Sequence, residues 1–550
     1  MQGRHKRHTE GLLDYHRVVM TPSIQRTLLL LSSAVSLVAA TAAPISLATL
    51  STPPAATAGM IGAPPGCKEG FLASAAPVSK QAVALPARGG ATFSAAEEAR
   101  WKLASAAQTA SAPQTAARDQ RTGDLARIQA NASTFLTAGE PPVSDLNHQR
   151  AAHGMRARDA AFVARLNADD RLLNAVGRYL LQAAAAPVND FTGLCFRLPD
   201  DSAPLDAHFD PAAWLLRYIV TYDYVRSGLR EADRLTIENY IRRQAYFFAT
   251  HLDWGLRLAF PNRLNGDYAA RTRDAQPKAA ADAFAVKRFD ANGKCTIGPD
   301  DDATLYPVFA YVDGDGNPGP RISRLSQWFN NRRSASVAAF GTAGLLLGDD
   351  ILTNRAKRYV MEWLTYSVWP DGSEGEYFRN GDYCIARQGL IYAQYNIQAA
   401  ALLAHWLQLA GDNSLATFAT TGGLFGTESG GGPAKSIASV VGTELQLLSG
   451  DLKRYYHEGW KPQQAPRDAT NLGQTESRYM NSGKTISNHH ALGILLAEST
   501  FPGLPVRAVL VPDAAAGLAR SDGDQGHRVA TGYGQWQDVF GALPAVLLLK

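Results

Sequence analysis

From residue 95 onward, apolar side chains return at i, i+3, i+4 and i+7 in one segment after another, and this helical period is the strongest constraint on the fold. The pattern runs through 95–107, 124–136, 157–185, 211–227 and 229–254, and it returns at 386–410, 433–448 and 487–498. Asp210-Pro211 and Pro320 punctuate it in the manner of a helix start. Segments with one apolar face must cover one another, and no strong strand blocks compete with them, so the class is all-α. No fixed repeat length is visible. That favours an (α/α) toroid, an incomplete helical barrel, over a solenoid.

Three regions depart from the helical pattern. Arg26 precedes the apolar run Leu28-Leu29-Leu30-Leu31, which continues to Val38-Ala39-Ala40, and Ala40-Thr41-Ala42 offers a cleavage site; 1–42 therefore reads as a signal peptide, with Met20 as an alternative start. The run is too short for stable membrane insertion, which places the mature chain in the periplasm or secreted medium. Residues 43–92 are rich in Ala, Pro, Gly, Ser and Thr, the composition of a linker, and leave 93–550 as the helical domain. Within that domain, 260–321 carry Asn, Asp, Gly and Pro throughout and one strand-like run at 304–312; an insertion of this length reads as a loop with a short strand that serves as a lid.

A formal net charge of +4 on 550 residues is far too small for a nucleic-acid partner. Cys67, Cys195, Cys295 and Cys384 form no Cys-x-x-Cys pair, so no zinc or redox centre is expected, and any disulfide pairing stays open. The segment Asp313-Gly314-Asp315-Gly316-Asn317 resembles a calcium loop, but Pro318 and Arg324 occupy the positions that need Gly and Glu, which makes it an ordinary turn. No metal and no cofactor are expected, and the chain is expected to be a monomer.

The polar residues of 328–396 sit at the ends of apolar helical runs. Trp328 and Phe329 lead into Asn330-Asn331-Arg332-Arg333, followed by the small-residue run SASVAAFGTAGLLLG. A second run, AKRYVMEWLTYSVW, leads to Pro370-Asp371-Gly372-Ser373 and then to Glu376 and Arg379. A third helix is expected from Arg387, carrying Tyr392, Tyr395 and Asn396.

In their order, Asn330-Asn331-Arg332, Asp371-Gly372-Ser373, Glu376-Tyr377-Phe378-Arg379 and Tyr392-Ala393-Gln394-Tyr395-Asn396 resemble the alginate lyase family of polysaccharide lyases. That family carries Asn-Asn-His, Asp-Gly, Glu-x-x-Arg and a Tyr followed shortly by Asn. This chain has Arg332 where the family has histidine, and extra residues around 381–386. The resemblance implies a toroid that cleaves a uronic-acid polysaccharide by β-elimination, with Asn331, Arg379 and Tyr392 in catalytic roles. Arg332 holds the histidine's position. His489 and His490, in the only histidine cluster of the mature chain, are candidates for its function. Trp328, Asn330, Glu376, Arg387, Asn396 and His489 are the candidate substrate-binding residues, and the partner implied is an acidic polysaccharide.

Each residue also has a plain structural reading. Asn330-Asn331 is a helix cap, Tyr392 a half-buried core aromatic, Arg379 an ion pair with Glu376, and Asn488-His489-His490 a cap with a structural histidine. Trp328, Trp363 and Trp369 are either sugar platforms or core. Two other functions use the same residues: a glycoside hydrolase built on Asp371, Glu374 and Glu376, and a polysaccharide-binding protein without catalysis.

Overall fold

Short polar side chains decide where the helices begin, because the first N–H groups of a helix have no partner of their own. In the computed structural model Asp169 accepts the N–H groups of Arg171 and Leu172, Asp349 those of Ile351 and Leu352, and Asn330 those of Arg332 and Arg333. Ser94 and Glu97 form a reciprocal capping box at the start of the first helix.

The structure describes residues 60–61, 73–74, 76–86, 89–107, 116–141, 153–193, 209–259, 329–368, 372, 374, 376, 387–420, 434–449, 494 and 496–506, all within the compact unit Pro44–Lys550. The expected signal peptide, the lid 260–321 with its strand-like run, and all four cysteines lie outside the described residues. The helices are α1 (Ala95–Ala107), α2 (Ala116–Ala138), α3 (Met155–Asn167), α4 (Asp170–Ala185), α5 (Phe209–Val225), α6 (Glu231–Ala259), α7 (Asn331–Leu347), α8 (Asp350–Tyr366), α9 (Arg387–Leu409), α10 (Ser414–Thr417), α11 (Ile437–Ser449) and α12 (Ala497–Thr500). Among the described residues the only sheet is a two-residue antiparallel pair, Met60–Ile61 with Ala73–Ser74. The described part is all-α in the sense expected.

The apolar run 157–185 reads as one helix, and the structure corrects this: α3 and α4 are separate. Ala168 takes a left-handed conformation (φ 51°) and Asp169 at once caps the next helix. The side-chain pattern runs unbroken through the turn, so periodicity alone could not place it.

Helix α7 is the centre of the body and packs against α5, α6, α8 and α9. A helix surrounded this way needs small residues. Ala335, Ala338, Ala339 and Ala343 are buried, and a Cβ on Gly341 would stand 2.7 Å from both Ala356 of α8 and Leu403 of α9. Gly348, left-handed at φ 61°, ends α7 and lets Asp349 start α8 at once. On the other side of α5, α3 packs against α2, α4 and α5. His405 of α9 ties in both ends of the described chain, with Nε2 3.0 Å from Glu97 of α1 and Nδ1 3.1 Å from the Ser499 hydroxyl of α12.

Part of the stretch that reads as linker is held against the helices. Asn239 bonds both the N–H and the carbonyl of Ser79, Glu238 accepts from Val83 N–H at 2.7 Å, and Asp223 accepts from the N–H groups of Ala91 and Thr92.

Candidate functional site

The N-terminus of α7 is where the sequence motifs meet. Asn330 is the helix cap, and the N–H of Asn331, which the cap does not serve, donates to Glu376 Oε1 at 2.8 Å. Asn396 reaches the same point from α9. Its Nδ2 donates to the Phe329 carbonyl at 3.0 Å, and its Oδ1 accepts from the Ser334 hydroxyl. The Asn-Asn-Arg segment, the Glu-x-x-Arg segment and the helix of Tyr392 are therefore tied together by direct bonds, although Asn331 and Asn396 are far apart in sequence.

The turn between α8 and the Glu-x-x-Arg segment is closed by an antiparallel bridge between Val368 and Glu374. Gly372 within it has φ 77°, and a side chain there would meet the Ser439 carbonyl of α11 at 2.7 Å, so the Asp-Gly position needs glycine for both conformation and space.

Glu374 lies at the base of this assembly and is fully buried. Its Oε2 accepts from Asn396 Nδ2 at 2.9 Å and from Trp363 Nε1 at 3.2 Å; its Oε1 accepts from the N–H of Glu376 at 3.1 Å. Burial, and then the neighbouring Glu376 carboxylate, raise the Glu374 pKa to about 8, against the pull of these donors. Tyr359, buried beside them, is also pushed upward by burial.

The other expected site residues fall as follows. Asn331, Glu376 and Asn396 are buried, whereas Arg332 and Asn330 are half-buried at the start of α7. Tyr392 and Arg387 lie on α9, position 392 one turn before Asn396 and on the same face. Arg379, His489, His490, Trp328 and Trp369 lie outside the described residues. The sugar-platform reading of Trp363 is corrected: the ring is 2% exposed and its N–H is spent on Glu374, which makes it core.

Two buried polar roles were not read from the sequence. Gln394 Nε2 donates to Glu444 Oε1 at 2.9 Å, joining α9 to α11. Glu374 was weighed only as a hydrolase carboxylate; Glu-Gly-Glu has the look of an exposed turn, and nothing local announces its burial.

A cavity of about 440 Å³ lies elsewhere, between the end of α2 and α4, lined among others by Leu136, Glu140, His153, Arg178, Tyr179 and Gln182. Glu140 Oε1 there accepts the N–H of Ala157 at 2.7 Å, serving α3, whose own cap residue is Gly154. Burial raises its pKa to about 7. Among the described residues no group of three or more His, Cys, Asp or Glu side chains could hold a metal, and no helix is long and apolar enough to cross a membrane. No model of a known protein family matches the chain, and no curated protein matches it.

Proposed function

We propose that the chain is a polysaccharide lyase that cleaves a uronic-acid polysaccharide, of the alginate or glucuronan kind, by β-elimination on an (α/α) toroid. One observation carries this reading: motif segments that resemble those of alginate lyases in sequence are bonded to one another at the start of α7, through Asn331 to Glu376 and Asn396 to Phe329. Periplasmic or secreted location belongs to the same reading.

The chemistry asks for two things. The C5 proton is weakly acidic while its neighbouring carboxylate stays charged, so neutral or cationic donors must stabilise the enolate that forms. The Asn331 amide supplies such a donor, and Arg332 or Arg379 adds a guanidinium able to clamp a carboxylate by two bonds. A general base must then take the C5 proton and an acid must protonate the departing glycosidic oxygen. Tyr392 serves as acid, and as base when a guanidinium lowers its phenol pKa from about 10. His489 or His490 is the alternative base, because Arg332 cannot take up a proton at working pH.

The hydrolase alternative loses ground on placement: Glu374 and Glu376 lie in one turn, joined through the Glu376 N–H, where they cannot flank a sugar from two sides. A binding protein without catalysis remains the second reading, favoured by Arg332 in the histidine position and by the separate cavity rimmed with Tyr179 and Arg178.

The test is ultraviolet absorbance of the C4–C5 double bond during incubation with polymannuronate, polyguluronate and glucuronan. A rise with at least one polymer is expected. New reducing ends without absorbance would make the protein a hydrolase, and binding without either product a carbohydrate-binding protein.

A further inference from the structure

We propose that Glu374 is the positioning residue of this site, its carboxyl holding α8, α9 and the Glu376 turn in the one arrangement that seats Asn331. The proposal rests on the lyase reading for its kinetic consequence and on geometry for its substance. Glu374 receives Trp363 from α8, Asn396 from α9 and the main-chain N–H of Glu376. Two of these partners reach onward to the start of α7. Asn396 holds the Phe329 carbonyl, and Glu376 holds the Asn331 N–H. No part of Glu374 is exposed, so it acts on substrate only through these neighbours.

The chemistry of the seat favours a carboxylic acid over a carboxylate. Among the described residues, the charged groups near it are Glu376 in its own turn and, beyond Tyr359, Arg333 of α7. A Glu374 protonated on Oε1 still accepts all three hydrogen bonds, because its carbonyl Oε2 keeps two lone pairs for Asn396 and Trp363 and its hydroxyl oxygen can accept from the Glu376 N–H. An ionised Glu374 adds a second buried negative charge beside Glu376, which pushes the turn, and Asn331 with it, out of place.

The sign of the pH effect follows from the raised value. The folded protein holds this proton up to about 8, whereas the unfolded chain releases it near 4.5. The resulting stability is full below 4.5, falls as pH rises between these values, and is gone above about 8. In activity, the same ionisation gives kcat an alkaline limb near pH 8.

Glu374→Gln and Glu374→Ala in the full chain test this. Glutamine presents an oxygen to Asn396 and Trp363, but its amide opposes the Glu376 N–H and cannot titrate. We expect Glu374→Gln to fold, to lose roughly tenfold in kcat with KM little changed, and to lack the alkaline limb; Glu374→Ala should lose on the order of 10²-fold. Glu374→Gln with wild-type kcat and the wild-type limb overturns the proposal, as does a loss that merely follows lost helical signal. If the wild-type protein forms no double bond on any uronate polymer, the lyase reading fails by itself, and the seat is then judged without activity. Its heat-unfolding midpoint should fall between pH 5 and 8 more steeply in wild type than in Glu374→Gln, where only groups such as Glu140 still lose their proton over this range, with faster amide exchange at Asn331 in the variant. Parallel midpoint profiles in the two proteins overturn the proposal whether or not the protein is a lyase.

Discussion

Two regions of this molecule use buried carboxylates to hold main-chain N–H groups, and they do it with opposite electrostatics. Where residues 76–86 and 89–93 lie on the helices, Asp223 accepts from Ala91 and Thr92 while the Arg226 guanidinium stands 2.9 Å away, and Glu238 accepts from Val83 and from the Tyr222 hydroxyl. At the start of α7, Glu376 accepts from Asn331, but the group beneath it is another carboxyl, Glu374, held among the described residues by neutral donors. A buried charge with a cation at hand fastens a segment. Two carboxyls packed together resist ionisation, and arrangements of that kind cluster where a site is tuned for chemistry.

The comparison predicts that damage at the two places will look different. The largest effect belongs to the chemical end. Tyr392→Phe keeps the ring and removes the hydroxyl, and should cost about 10² to 10⁴ in lyase rate. Its unfolding free energy should change by no more than a hydrogen bond, about 1 kcal/mol. Near-normal rates, or activity that disappears together with helical signal on heating, would remove Tyr392 from the mechanism and move the base to His489 or His490.

Asp223→Ala should do the reverse. It leaves the buried Arg226 guanidinium without its carboxylate and frees the N–H groups of Ala91 and Thr92. Denaturant unfolding should show a loss of about 3 to 5 kcal/mol, with the rate per folded molecule unchanged. A rate loss at full stability would show that the two regions do not divide the labour in this way. A smaller effect is expected at Gly341, where the added methyl of alanine would press on Ala356 and Leu403. Gly341→Ala should destabilise by about 1 to 3 kcal/mol. Because α7 carries Asn331 at its other end, a rate change beyond that loss would mean that packing in mid-helix reaches the site.

Much of the helical architecture was legible because helix starts are chemically explicit. Asn330 is a short acceptor just ahead of an apolar run and proves to be a cap; Asp169 and Asp349 cap their helices in the same way, although they were not singled out from the sequence. The candidate site lies at the same kind of place, since its motifs occupy helix ends. What could not be read has physical reasons. The break at Ala168 leaves the apolar pattern intact. Residues 76–86 are held largely through their backbone, which their composition does not report. The hub role of Glu374 depends on partners from α8 and α9 that only folding brings together.

The most direct test of the central claim is a crystal structure of the Tyr392→Phe protein with a uronate oligosaccharide bound. The account predicts one sugar ring at the start of α7, its carboxylate within hydrogen-bond reach of the Asn331 amide and of an arginine, and position 392 facing its C5. An oligosaccharide seated instead in the cavity between α2 and α4, or Asn331, Arg379 and residue 392 more than about 10 Å apart around it, beyond any hydrogen-bond reach, would contradict it.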